Sequence, residues 1–186
     1  VLYKDIKFFE NHFSGVMPAE ILIETKKKNG VMKLSVLQKI AALQTVLESF
    51  PEISRTVSIA DFAKYSKQSF YNGDSSFYAL PNTQEKNWIL SYAKGSLEDN
   101  NLIEIPLTDS LNQITRISMR MADISTPKLD SLMEVLQPKI NKIFDSKKYN
   151  VSMTGSSIVF LNGTKYLVRN LFTSLFLVIV LISIFM

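Results

Sequence analysis

An α+β domain running straight into a membrane-spanning helix is the fold this sequence predicts, and three observations carry the prediction. The final stretch, Leu171–Met186, is 16 residues without a charge. Residues 112–122 alternate apolar and polar side chains, the period of a half-buried strand. Between such stretches lie segments with apolar residues at helical spacing, among them Leu129, Leu132, Leu136, Ile140 and Ile143.

The C-terminal run, LFTSLFLVIVLISIFM, has Thr173, Ser174 and Ser183 as its polar residues. A helix absorbs such hydroxyls by bonding them back to its own carbonyls. At about 1.5 Å per residue the run reaches roughly 24 Å, a turn or so short of the roughly 20 residues that a bilayer core requires. A chain cut at both ends is therefore expected, since it also begins at Val1. Aliphatic density on all faces argues against a buried core helix. The segment's C-terminal position excludes a secretory signal. Residues 161–186 are assigned to the start of a transmembrane helix, and residues 1–160 to the folded domain.

Composition is that of an ordinary globular domain, 46% hydrophobic and 20% charged, and the length suffices for one sizeable core. The net charge of +4 is scattered: the only lysine runs, 26–28 and 147–148, fall in expected turns. A nucleic-acid surface needs a basic stripe with stacking aromatics, and none is present, so no nucleic-acid partner is expected. There is no cysteine, hence no disulfide framework, thiolate metal site or thiol nucleophile.

The elements follow in order. Residues 3–13 place Ile6, Phe9 and Phe13 at helical spacing, with Ser14-Gly15 as the stop. Ala19–Thr25 is a short strand with an apolar centre, followed by a polar turn from Lys26 to Gly30. A helix is expected from Ser35 to Phe50, with Ser35 and Gln38 at capping-box spacing. Leu37, Ile40, Ala41, Leu47 and Phe50 form its buried stripe, and Pro51 stops it. Arg55–Ile59 reads as a second strand. Ser58 can cap a helix over 59–70 with Asp61 in its first turn. Residues 70–82 form a loop with an Asn72-Gly73-Asp74 turn and a stop at Pro81. Its four rings, Phe70, Tyr71, Phe77 and Tyr78, are expected to pin it to the core. A helix over 84–95 centres on Trp88, Ile89 and Tyr92 and closes at Gly95. In the strand at 112–122, Thr115, Ile117, Met119 and Met121 face one way and Arg116, Ser118 and Arg120 the other. Pro127 opens a helix where its missing N–H costs nothing, and Pro138 should kink it. Asn150–Thr154 is a further strand with Val151 and Met153 inward. The order is strand-helix-strand, a helical insert, then strand-helix-strand. Two such units pack as one split βαβ sheet with helices on one face, the ferredoxin-like arrangement. Ile21, Ile23, Ile117, Met119, Val151 and Met153 are then expected to share a single core.

Chemistry-bearing residues are sparse. His12 is the sole histidine, and without a second histidine or a cysteine no transition-metal site is expected. The carboxylates are dispersed. Gly155-Ser156-Ser157 lacks the further glycines and the Lys-Ser/Thr ending of a phosphate loop. Ser156 and Ser157 have no visible base. Asn150-Val151-Ser152 and Asn162-Gly163-Thr164 match the glycosylation triplet, which matters only in a eukaryotic secretory route. No catalytic, metal or cofactor residue is assigned, no cofactor is expected, and an enzyme is not.

Two stretches resemble a known family. FFENHFSGVMPAEILIETKKKNGV, residues 8–31, resembles the start of the second large extracytoplasmic loop of RND-superfamily exporters of the MMPL type. There an acidic-aromatic helix leads to a Phe-x-Gly-x-x-Pro turn and a strand ending in Asp/Glu-Thr. The matching positions are Phe13, Gly15, Pro18 and the strand from Glu20 to Thr25. Residues 151–186 resemble the family's exit from that loop, where a strand with Thr-Gly turns into a helix that continues into the membrane. The resemblance implies a porter domain with a βαβ-βαβ core in a proton-driven exporter of the bacterial inner membrane. The domain would lie on the periplasmic side. Its partners would be membrane lipid, the remainder of the transporter chain and a lipid-like or hydrophobic cargo. Proton-relay residues of the family lie in other membrane helices, so none is carried over, and no substrate-binding residue is assigned.

Lys165 and Arg169 just before the apolar run read, by the positive-inside rule alone, as a cytoplasmic flank; large domains translocate largely regardless of such charges. The alternative is a tail-anchored protein whose soluble domain binds a cytosolic partner. A membrane-anchored hydrolase would need a nucleophile-base pair that the sequence does not offer.

Overall fold

The computed structural model describes Lys4, Phe8 and residues 15–89, 91–92 and 107–185. The expected helix over 3–13 lies outside the described residues apart from Lys4 and Phe8, both helical. The chain is mixed α+β. In order it runs β1 (Met17–Glu24), α1 (Leu34–Glu48), α2 (Ile59–Phe70), a 3₁₀ turn (Ser75–Phe77), β2 (Ile114–Met121), α3 (Thr126–Ile143), β3 (Asn150–Thr154) and α4 (Ser156–Phe185).

The sheet has three strands in the order β2-β1-β3. Both outer strands are antiparallel to β1, with Ile21 opposite Ile117 on one side and Met153 on the other. β2 and β3 are therefore parallel to each other, with β1 inserted between them, and α3 makes the connection. Period-two patterning sets this register, because a one-residue slip would turn every core side chain to the other face. Ala19, Ile21, Ile23, Ile117 and Met119 are buried in one cluster, and Val151 and Met153 pack against it. The expected common core of these residues is found. Ile21 and Ile23 are fully buried, each contributing about 1.5–3 kcal/mol.

The second strand expected at Arg55–Ile59 is not formed. Residues 53–57 meet the edge of β2 through isolated antiparallel bridges, Ile53 to Met121 and Val57 to Ser118. Ile59 already belongs to α2. The physical reason is Ser58, which commits the backbone to a helix start before a ladder can extend. Its side chain accepts from the Ala60 N–H, and Asp61 reaches back to the Ser58 N–H, a reciprocal capping box.

α1 begins one residue earlier than expected, and Ser35 does not cap it. Lys33 is the N-cap, without a side-chain bond. The Gly30–Lys33 turn carries the entry instead, since the Lys33 N–H donates to the Gly30 carbonyl at 3.2 Å and Leu37 donates to Lys33 at 3.0 Å. Leu37, Ile40 and Leu47 are buried as expected, joined by Val36, Leu43 and Gln44, while Ala41 and Phe50 pack at the margin of the core. α3 presents Leu129, Leu132, Leu136 and Ile140 inward and continues through Pro138, whose missing N–H leaves the Glu134 carbonyl without its usual donor. Residues 86–89 and 91–92 are helical. Ile89 is buried, but Trp88 is 66% exposed and Tyr92 43% exposed, so this short helix is not centred on its rings. Gly95 lies outside the described residues.

Candidate functional site: the junction between domain and apolar helix

The site with most to say about function is where β3 becomes α4. Gly155 makes the turn with φ of +117°, a conformation that side chains with a Cβ avoid. A Cβ there would lie 2.9 Å from the Ala19 Cα and 2.9 Å from the Pro18 carbonyl oxygen. The glycine thus permits both the turn and the close approach to β1. At once the helix starts, with the Val159 N–H donating to the Gly155 carbonyl at 3.0 Å. Ile158 is 7% exposed and belongs to the core cluster. One residue later the helix is bare: Val159 is 64% and Phe160 71% exposed.

From there α4 runs without a break to Phe185. Ile158–Phe185, 28 residues of mean hydropathy 2.2, is long and apolar enough to cross a membrane. Hydroxyls are handled as the sequence predicts: Thr173 bonds to the Arg169 carbonyl at 2.9 Å and Ser183 to the Ile179 carbonyl at 2.9 Å. The expected division at residue 160 falls inside this continuous helix. Lys165 forms an ion pair with Asp130 in the second turn of α3, tying α4 to a second element of the domain.

The chain enters the sheet at the same end. Gly15, with φ of +126°, lies so close to β2 that a Cβ would be 2.5 Å from the Met121 carbonyl carbon. The next residue, Val16, donates its N–H to the Met121 oxygen at 3.1 Å. Since Met17 is opposite Met121 and Glu20 opposite Thr154, entry and exit are adjacent at one end of the sheet.

Around the domain the polar groups serve structure. Gln44 is buried at 5% exposure. Its amide donates to Thr56 Oγ1 at 3.0 Å and to Asp61 Oδ2 at 2.5 Å. The Thr56 N–H and hydroxyl both donate to Glu48 at 2.8 Å. This network holds the 53–57 segment on α1 in place of a strand ladder. Glu85 accepts from the Asn82 N–H at 3.0 Å, from Lys67 at 2.7 Å and from the Tyr71 hydroxyl at 3.1 Å. The Asn82 N–H first, then Lys67, lowers its carboxyl below the usual range. Lys128 lowers that of Glu52, and the Ile114 N–H that of Asp109. Three of the four aromatic rings of the 70–82 loop contact one another, and Tyr78 has the Lys64 ammonium 5.8 Å from its ring. Tyr71 stacks on Phe77 at 4.1 Å, and Phe70 meets Tyr71 and Tyr92 edge-on at 5.3 and 5.5 Å.

Nothing catalytic assembles among the described residues. No group of His, Cys, Asp and Glu there is placed to hold a metal ion. A shallow cavity of about 220 Å³ on the outer sheet face, lined by Leu22, Leu107, Ile114 and Arg116 among others, has no nucleophile paired with a base. His12 lies outside the described residues, and Ser156 is exposed at the start of α4. Sequence reasoning missed the Gln44 network, because a buried amide inside an apolar stripe has no local signature. It also missed the Asp130–Lys165 pair, whose members are 35 residues apart. The elbow at Gly155 was anticipated only through the family resemblance, as a strand with Thr-Gly turning into a helix. The chain matches no family model, no curated protein and no solved structure.

Proposed function

We propose that this chain is an extracytoplasmic porter-type domain of a membrane exporter, rigidly coupled to the transmembrane helix that follows it. The observation that carries the proposal is the unbroken α4. Its first turn is set in the core through Ile158, and beyond Arg169 it is uncharged and exposed. A rigid helix transmits displacement of the domain into the membrane, which a flexible linker would dissipate.

Further features support the same reading. β2, α3 and β3 form a split βαβ unit around β1, and the bridges at Ile53 and Val57 occupy the edge where a fourth strand of a ferredoxin-like sheet would pair. Entry beside exit suits a domain inserted between two membrane segments. Val159 and Phe160, exposed ahead of the charged residues of α4, suit packing against the remainder of a larger transporter chain. The resemblance to RND exporters of the MMPL type adds the proton drive, the bacterial inner membrane and a lipid-like cargo. It rests on the motifs at Phe13–Pro18 and at Thr154-Gly155.

This segment has no cysteine, so a Lys148→Cys, in a background where any cysteine outside it is replaced, tests sidedness. An impermeant maleimide should label it on intact spheroplasts. Labelling only after the membrane is broken refutes the extracytoplasmic assignment and is the result a tail-anchored cytosolic domain would give. In the full exporter, Gly163→Pro should abolish export while expression and membrane insertion persist, because an interior proline costs a helix about 3 kcal/mol and bends it. Undiminished export would refute rigid coupling.

A further inference from the structure

We infer that the end of the domain from which α4 departs rests on the bilayer as a phospholipid-headgroup surface, with Asp130–Lys165 and Arg169 fixing its height. The inference rests on α4 spanning the membrane and adds where the domain sits.

Lys165 and Arg169 are the only charges on α4, one turn apart on one face. Arg169 has no carboxylate partner among the described residues, and everything from Asn170 to Phe185 is uncharged. A guanidinium is strongly disfavoured in hydrocarbon, so the hydrocarbon boundary falls just past Arg169, whose five donors suit a lipid phosphate. Four residues of helix put Lys165 about 6 Å further out. Each headgroup layer is about 5–8 Å thick, half the difference between the whole bilayer and its core. Lys165 therefore stands at the outer rim of that layer, and Tyr166, 66% exposed, lies within it, the level where amphipathic rings collect.

Asp130 is bonded to Lys165 and so lies at the same height. It is five residues into α3, which brings the first turn of that helix, with Ser125 and Pro127 exposed, against the headgroups. Charge fits an anionic or zwitterionic surface. Asp123, two residues before Ser125, is exposed, while two carboxylates near the contact are engaged by lysines, Glu52 with Lys128 at 3.0 Å and Asp130 with Lys165. That leaves the Arg169 guanidinium open to lipid. Sheet geometry agrees, since the ends of β2 and β3 and the start of β1 share this side. The 26–30 and 145–149 turns lie at the opposite end.

Single cysteines carrying a nitroxide, at Phe172, Ser125 and Lys148, test the inference in the full chain reconstituted into phosphatidylethanolamine–phosphatidylglycerol vesicles. Relative accessibility to oxygen and to a nickel chelate gives the depth of each label. Phe172 should report hydrocarbon, Ser125 the headgroup layer and Lys148 bulk water. Asp130→Asn should shift Ser125 toward the Lys148 value while Phe172 stays in place. Ser125 as aqueous as Lys148, with Phe172 in hydrocarbon, overturns the headgroup surface alone. An aqueous Phe172 overturns the membrane-spanning reading and this inference with it. A headgroup-level Ser125 that does not respond to Asp130→Asn overturns the role of the ion pair.

Discussion

Gly155→Ala isolates the elbow on which the coupling depends. Two costs add. At φ of +117° an alanine is strained by about 1–3 kcal/mol. Its Cβ would also stand 2.9 Å from both the Ala19 Cα and the Pro18 oxygen. These are backbone atoms of the central strand and cannot swing aside, so the overpacking adds about 1–3 kcal/mol more. The expected loss is about 2–6 kcal/mol, a large fraction of the 5–15 kcal/mol typical of a domain. Gly73→Ala is the control, because Gly73 also has positive φ, +82°, but has nothing within 4 Å of where its methyl carbon would stand. It should lose only the backbone part, about 1–2 kcal/mol. Urea unfolding of the full chain in detergent micelles, followed by near-ultraviolet circular dichroism, reads the folded domain while α4 stays in the micelle. If Gly155→Ala is no more destabilising than Gly73→Ala, the contact with β1 is soft, and the elbow is not a rigid joint.

Two further outcomes are expected. Thr56→Val removes the acceptor of the Gln44 amide and the hydroxyl bond to Glu48, and should cost about 1–3 kcal/mol. Amide exchange at Val57 and Ser118 should accelerate, and a change within about 0.5 kcal/mol would show that the network does not hold the segment. For pH, the folded carboxyl of Glu85 lies below its ordinary value of 4.5. Its stabilisation is therefore complete above that value and is lost as pH falls through the lower, folded value. Acid unfolding in that window should be shallower in Glu85→Gln, with midpoints at neutral pH compared in parallel. An unchanged acid limb would exclude Glu85 as a contributor.

What was legible in the sequence was whatever repeats at short range. The alternation at Thr115, Ile117, Met119 and Met121 predicted which face of β2 is buried, residue for residue. Ser58 was expected to cap a helix with Asp61 in its first turn, and it does, the two closing a reciprocal capping box. The uncharged C-terminal run predicted α4. Failures came where local signals competed. At Arg55–Ile59 a β-rich run met a strong helix start, and the cap prevailed, reducing the strand to bridges. At Ser35 a capping-box spacing was overruled by the preceding Gly30 turn. The junction was half legible. The Thr-Gly turn came from the family resemblance, but the Asp130–Lys165 tie depends on how α3 lies beside α4, which no local pattern encodes.

The tie and the elbow together define what kind of joint this is. A helix held only at Gly155 and Ile158 could pivot about its first turn, and movement of the domain would be lost as a change of angle. A second contact at Lys165, seven residues past Ile158 and therefore about 10 Å further down the axis, turns the pivot into a clamp. As an exposed ion pair, with side chains 39% and 50% accessible, it contributes about 0–1 kcal/mol to stability. That is too little to hold the fold and enough to bias the angle of a helix already set in the core. Its strength falls with salt, because exposed charges are screened over about 10 Å at 0.1 M. The coupling between domain and helix is thus firm at the Ile158 packing. At Lys165 it rests on one screened pair and is adjustable.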